Sequence, residues 1–174
     1  GLPSGTLWAT CNIGAKSPEE YGDYFAWGET APKDYYSYGT NMYKWYKSDD
    51  NCPGLTKYCT NSEFGSNGFI DDKTELEPSD DAAYVNWGSS WRIPSWEQIQ
   101  ELLKSCSWQW TQRNGVNGQL GMGPNGNTIF LPATGCRPDN LLDGAGSYGR
   151  LWSRTLCSDD TFSAYSLRYC PIVM

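Results

Sequence analysis

Residues 91–103 read WRIPSWEQIQELL, and no other stretch leaves the chain so little conformational choice. Pro94 holds Ile93 in extended backbone and keeps it out of a helix. Ser95, with Gln98 three positions on, has the pattern of a capping box, in which each side chain meets a backbone N–H left open at the helix start. Ile99, Leu102, Leu103 and Cys106 then recur at i, i+3, i+4 and i+7, which puts one apolar stripe toward the core. The spacing predicts a sharp corner from extended chain into a helix running to about Cys106. Arg92 stands at that corner, where a planar, permanently charged fork can satisfy several carbonyl or carboxylate oxygens. It is expected to be a structural pin, with Trp91, Pro94 and Ser95 shaping the same corner.

The rest of the chain breaks into shorter pieces. GTLWATCNIGA (5–15) reads as a short strand and DYFAWGE (23–29) as a second extended run. Residues 31–79 are polar, with little periodicity, and so long a loop is either functional or an excursion held by its own aromatics. In SDDAAYVNWG (79–88), Asp80 and Asp81 precede a short helix that ends at Gly88. Short strands are expected at 107–112, 118–122, 127–134, 149–156 and 162–170, separated by RNGVNG, GPNGN and GAGSYG, whose Asn-Gly and Gly-rich chemistry suits hairpin turns. Two helices followed by a meander give an α+β class with a mainly antiparallel sheet and long loops. No internal repeat or linker divides the 174 residues, so they are read as a single domain, 1–174.

Composition removes several functions. The chain has no His, which excludes Ser–His–Asp and Cys–His catalysis within it. Thirteen cations against 20 acids leave a net charge of −7, the wrong sign for nucleic acid. No apolar run approaches the roughly 20 residues of a membrane helix. Nine Trp and twelve Tyr instead favour a fold with much contact surface. Seven cysteines contain no CxxC pair, which argues against structural zinc. Cys52 and Cys59, in CPGLTKYC, are spaced for a loop-closing disulfide, and Cys11, Cys106 and Cys136 are expected to be buried as small apolar residues.

The segments GLPSGTLWATCNIGAKSPEEYGDYFAWGET, DDAAYVNWGSSWRIPSWEQIQELL, NGNTIFLPATG and GSYGRLWSRTL, taken in order, resemble the Fibrobacter succinogenes major paralogous domain family. That family is common in secreted and surface proteins of gut Bacteroidetes. The resemblance implies a C-type-lectin-like fold, related to formylglycine-generating enzymes and to retroelement-diversified ligand-binding proteins. It also implies an extracellular or cell-surface location; no signal peptide is visible, and the abrupt opening GLPSGTLWA is read as following a removed targeting segment. The signature W-R-(I, M or L)-P-(S or T) is met by Trp91, Arg92, Ile93, Pro94 and Ser95, and recurs in relatives with and without catalysis, which favours a structural role. Gln98-Ile99 departs from the Glu-Trp usual in relatives. Relatives continue beyond AYSLRY into a last strand, which YCPIVM does not resemble, so the last strand is expected to be missing, different in sequence, or supplied by a neighbour.

Three activities follow from the resemblance. An oxidase like the formylglycine-generating enzymes needs two closely spaced cysteines, whereas Cys157 and Cys170 are thirteen apart. Calcium-dependent sugar binding needs oxygen-ligand triplets that GPN (123–125) does not supply; the acids of 71–81 are the remaining source of Ca²⁺ ligands, but they are expected to form a solvated loop, and no cofactor is expected. A non-catalytic binding or display module, for a carbohydrate or protein ligand in adhesion, fits best, ahead of the oxidase and of a purely structural module in a larger adhesin. Its ligand residues are expected late in the chain: Tyr148, Arg150, Arg154, Cys157, Ser158, Asp159, Asp160, Arg168 and Cys170. Arg154, Thr155 and Cys157 replace the Ser/Asn-rich residues of relatives, as either diversification or ordinary loop drift would. Trp8, Trp27, Trp91 and Trp152 are assigned to packing. Strand alternation puts Arg150, Trp152 and Arg154 on one face, so a bend in the Gly-rich GSYGR is expected to turn Trp152 inward and leave Arg150, Arg154, Asp159 and Arg168 exposed together.

Overall fold

The computed structural model describes residues 1–36, 43–48 and 51–171. The chain is α+β, with small antiparallel sheets and two α-helices among the described residues. Strands β1 (Tyr46–Lys47) and β2 (Gly54–Leu55) form a minimal pair within the long polar stretch. Helices α1 (Ala82–Trp87) and α2 (Trp96–Ser105) follow. A three-stranded meander comes next: β3 (Ser107–Arg113), β4 (Val116–Met122) and β5 (Thr128–Pro132). The hairpin β6 (Gly149–Leu156) and β7 (Ala164–Tyr169) completes the order. The sheet expected from the sequence is thus divided into three.

Both helices start where their caps put them. The Ser95 hydroxyl accepts from the Gln98 N–H and the Gln98 side chain accepts from the Ser95 N–H. Ile99 and Leu102 are buried, while Leu103 and Cys106 are half-buried, so the stripe faces the core with its edge at the surface. Asp81 caps α1 by accepting from the Tyr84 N–H, and Gly88, at φ 94°, ends it in a conformation that disfavours a side chain. Asn114 and Gly115 both take positive φ between β3 and β4, which is the two-residue turn that matches strand twist.

Two cores hold these elements. One joins Trp27, Tyr58, Leu76 and Leu156, with Trp45, Ile93 and Trp152 against it. The other joins Ile99, Leu131, Leu167 and Tyr169, with Trp8, Trp96, Trp108 and Leu151 against it. The β6–β7 hairpin contributes to both. Tyr169 lies over its partner Gly149, where an added Cβ would come within 2.1 Å of the ring. Its hydroxyl donates to the Pro132 carbonyl and ties the hairpin to β5.

Several expectations are corrected. Residues 5–15 are not a strand: positive φ at Gly5 and Gly14 bends the chain, and turns close at Gly5 and Ala15. Residues 23–29 form no strand; the Tyr36 hydroxyl donates to the Tyr24 carbonyl and the Trp152 indole to that of Phe25. The long stretch 31–79 is an excursion tied down by Leu55, Tyr58 and Leu76; its positions 37–42 and 49–50 lie outside the described residues, as does the terminal stretch 172–174. Cys59 is buried with a free thiol whose Sγ donates to the Asn61 carbonyl, so the Cys52–Cys59 bridge is not formed. Cys11, Cys106 and Cys136 are half-buried rather than buried.

Candidate functional site

The β6–β7 hairpin sorts its residues by parity. Leu151, Leu167 and Tyr169 enter the second core, and Tyr165 stacks on Trp96 of α2 with ring centroids 4.9 Å apart. The even-numbered residues occupy the other face: Tyr148, Arg150 and Trp152 from one side, Ser166 and Arg168 from the other. On that face Arg150 stands directly opposite Arg168, and both are exposed. The Arg150 guanidinium lies 5.6 Å from the Trp152 ring centre and its Nε donates to Ser166 Oγ at 3.1 Å. Arg168 lies 4.9 Å from the Tyr148 ring.

Beyond Trp152 the register shifts. Three β6 residues, 153–155, stand against one β7 residue, Tyr165, before pairing resumes at Leu156 and Ala164. The expected bend therefore comes after Trp152, not in GSYGR. This bulge turns Arg154 away from the Arg150 face. Arg154 Nε meets Glu75 Oε2 at 3.0 Å, and its Nη1 donates to the Ile93 carbonyl and to Gln98 Oε1. With its side chain 19 % exposed, Arg154 fastens the start of α2 and does not share an open face with Arg150 and Asp159. Trp152 does turn partly inward, against the first core.

The remaining candidates separate. Ser158, Asp159 and Asp160 lie in the exposed β6–β7 turn. Asp160 shapes it by accepting from the Phe162 N–H and the Ser163 hydroxyl, bonds that hold its carboxyl below the usual value. Cys157 and Cys170 are half-buried at opposite ends of the hairpin, roughly 20 Å apart from the strand rise. The Tyr148 hydroxyl contacts Cys136 Sγ and donates to Asp143 Oδ2; the Cys136 bond, then burial, pushes its titration up.

The WRIP corner has a specific role. Arg92 Nε donates to Asp81 Oδ2 at 2.8 Å, and its Nη2 donates to the Leu76 carbonyl. Asp81 is fully buried and also accepts from the Ile93 N–H, so one carboxylate caps α1 and anchors the approach to α2. Arg92 nevertheless also borders open space, as one wall of a cleft of about 1390 Å³. Trp91 packs edge-to-face on Trp87 at 5.3 Å and belongs to neither core.

That cleft runs from the N-terminal strap to the hairpin and is lined by Trp8, Tyr24, Trp91, Arg137, Arg150 and Trp152, among others. Its cations are Lys33, Arg92, Arg137, Arg150 and Arg154; among the described residues its single carboxylate is Asp23. Sequence reasoning missed Arg137, whose guanidinium lies 5.9 Å from the Tyr24 ring. Burial pushes the Tyr24 phenol up to about 12. No local pattern around CRPDN marks Arg137, because its partner ring is 113 residues earlier in the chain. Among the acids of 71–81, Asp80 is taken by Lys44, Lys57 and Tyr58, and Glu77 by Lys57 and Lys73. Asp71 accepts from the Tyr58 and Cys59 amides.

No protein-family model matches the chain, and comparison with curated proteins and with solved structures likewise finds no match. Among the described residues, no helix is long and apolar enough to cross a membrane.

Proposed function

We propose that this chain is a non-catalytic ligand-binding domain of a secreted or surface-displayed protein, with a C-type-lectin-like fold. Its ligand surface is the even-numbered face of the β6–β7 hairpin together with the adjoining cleft. The observation that carries the reading is the exposed Arg150–Arg168 pair, set on aromatic rings beside a large cleft. Rings with polar or charged rims serve recognition of sugars and proteins at little entropic cost. The reading calls for no bound cation, since Asp71 is held by backbone amides, Glu77 and Asp80 by Lys side chains, and Glu75 and Asp81 by Arg154 and Arg92. It calls for no dithiol chemistry either, since Cys157 and Cys170 stand at opposite ends of the hairpin.

A glycan array probed with the parent chain and with an Arg150→Ala/Arg168→Ala variant tests it. Loss of array signal with an unchanged melting temperature is expected. Signal that survives in the variant but disappears on substitution in the 31–79 stretch would move the ligand surface there and defeat the proposal.

A further inference from the structure

The six arginines of the chain divide into two sets of three. Arg92, Arg113 and Arg154 pair with Asp81, Glu19 and Glu75. Arg137, Arg150 and Arg168 form no ion pair with a carboxylate of the described residues, and each sits instead on a ring: Tyr24, Trp152 and Tyr148. In a chain with 20 acids and 13 cations, a carboxylate is the commoner neighbour, so three unneutralised guanidiniums in one region require a physical account.

Their positions in the fold are also linked. Arg150 and Arg168 face each other across the hairpin, where Cβ atoms stand about 5 Å apart and like charges repel. Tyr148, under Arg168, contacts Cys136, the residue before Arg137. Tyr24, under Arg137, is followed by Phe25, whose carbonyl accepts from Trp152, the ring under Arg150. Three ring–guanidinium pairs are therefore bound to one another through adjacent residues. Arg137 Nε and Trp8 Nε1 add a second observation: both are buried donors without an acceptor among the described residues, and both side chains line the cleft. Buried donors without acceptors are uncommon in native folds.

Resting on the binding reading above, we infer that this site takes an anionic carbohydrate, a glycan whose carboxylate or sulfate oxygens are gripped by Arg137, Arg150 and Arg168. A guanidinium restrained beside a ring keeps its fork of N–H groups, which can take an oxyanion through two parallel bonds. An oxyanion between Arg150 and Arg168 would also relieve the repulsion between them. Trp87 and Trp91 line the same cleft and belong to neither core, which leaves apolar ring surface for the C–H face of a sugar. Duplex nucleic acid fits worse: with one charge per roughly 1.7 Å, it would extend its charge past the three arginines into a chain of net charge −7.

The test is titration calorimetry of the intact chain against polygalacturonate, a sulfated glycosaminoglycan, neutral dextran, poly-glutamate and duplex DNA. Binding of one or both acidic glycans is expected, and which arm responds distinguishes carboxylate from sulfate as the source of charge. Arg150→Gln and Arg168→Gln should each weaken it about tenfold or more, as loss of a charge-assisted bond does. Raising salt from about 50 to about 300 mM should weaken it in the parent and less in the variants. Melting temperatures confirm that each variant is folded, and Arg150→Lys should recover only part of the loss because it restores charge without the fork. Dextran bound as well as the acidic glycans, with Arg→Gln harmless, would overturn the anion inference and leave the binding reading standing. Preference for poly-glutamate or DNA would overturn it as well. Failure to bind any probe in this set, together with a blank glycan array, would remove both.

Discussion

Around Asp80 and Asp81, cations and carboxylates neutralise one another; on the outer face of the β6–β7 hairpin, cations of the same kind are left over. Both regions lay positive charge on aromatic rings, since Lys44 and Lys57 sit over Trp45 much as Arg150 sits over Trp152. The difference is the acid. Asp80, 2 % exposed, gathers Lys44, Lys57 and the Tyr58 hydroxyl, and Asp81 gathers Arg92, the start of α1 and the Ile93 N–H ahead of α2. There the charges are an internal fastening that holds the polar excursion and the WRIP corner to the fold. At the hairpin no such acid is present among the described residues, and the same chemistry faces outward. Identical side chains thus act as architecture or as candidate recognition groups according to whether a carboxylate is buried with them.

The strongest test of that contrast is Asp81→Ala. It removes the α1 cap, the Ile93 N–H acceptor and the counter-charge of Arg92 together. Breaking a buried pair costs about 3 kcal/mol or more, and the low end applies because Arg92 is a third exposed to water. Urea denaturation should show this loss. A change under about 1 kcal/mol would show that water replaces the carboxylate and that the fastening is weak. Ser95→Ala should cost less, about 1 kcal/mol, as the loss of one N-cap does. Ser95→Thr should restore most of it in the same measurement.

Acid should loosen the paired region before the hairpin face. Hydrogen bonds from Lys57 and Lys73 hold Glu77 down to about 2, against its ordinary 4.5. Asp80 is also lowered: burial opposes its ionisation, but the bonds from Lys57, Tyr58 and Lys44 outweigh that. Depressed carboxylates stabilise the fold fully above their unfolded values, and that stability is lost as pH falls through the folded ones. Stability measured between pH 4.5 and 2 should therefore decline, and the decline should shrink in Lys57→Met. The smallest expected effect has the opposite sign. Arg168→Gln relieves like-charge repulsion directly across the hairpin and should leave stability unchanged or raise it by about 0.5 kcal/mol. A clear loss of stability there would mean that Arg168 is structural and that the two regions do not differ in kind.

Local chemistry carried much of this fold in the sequence. Ser95 with Gln98, Asp81, Gly88 and Asn114-Gly115 set helix starts, a helix stop and a hairpin through contacts that reach only a few residues. The late strands were legible for the same reason, because alternation and turn residues act within one hairpin. The N-terminal 5–15 segment was not: its residues suit a strand, but a strand needs a partner, and positive φ at Gly5 and Gly14 turns the chain instead. The bulge at 153–155 was equally hidden. There the backbone of 154–156 bonds to Thr74, Leu76 and Pro94, partners far away along the chain.

The sequence by itself determined the helices, the hairpins, the absence of His chemistry and the surplus of acid, because capping, turn formation and composition are local or additive. Only the tertiary structure decided which arginines are neutralised. Ion pairing depends on distances of a few ångströms between residues far apart in the chain, and no spacing rule sets apart Arg154, which is held, from Arg150, which is left facing out.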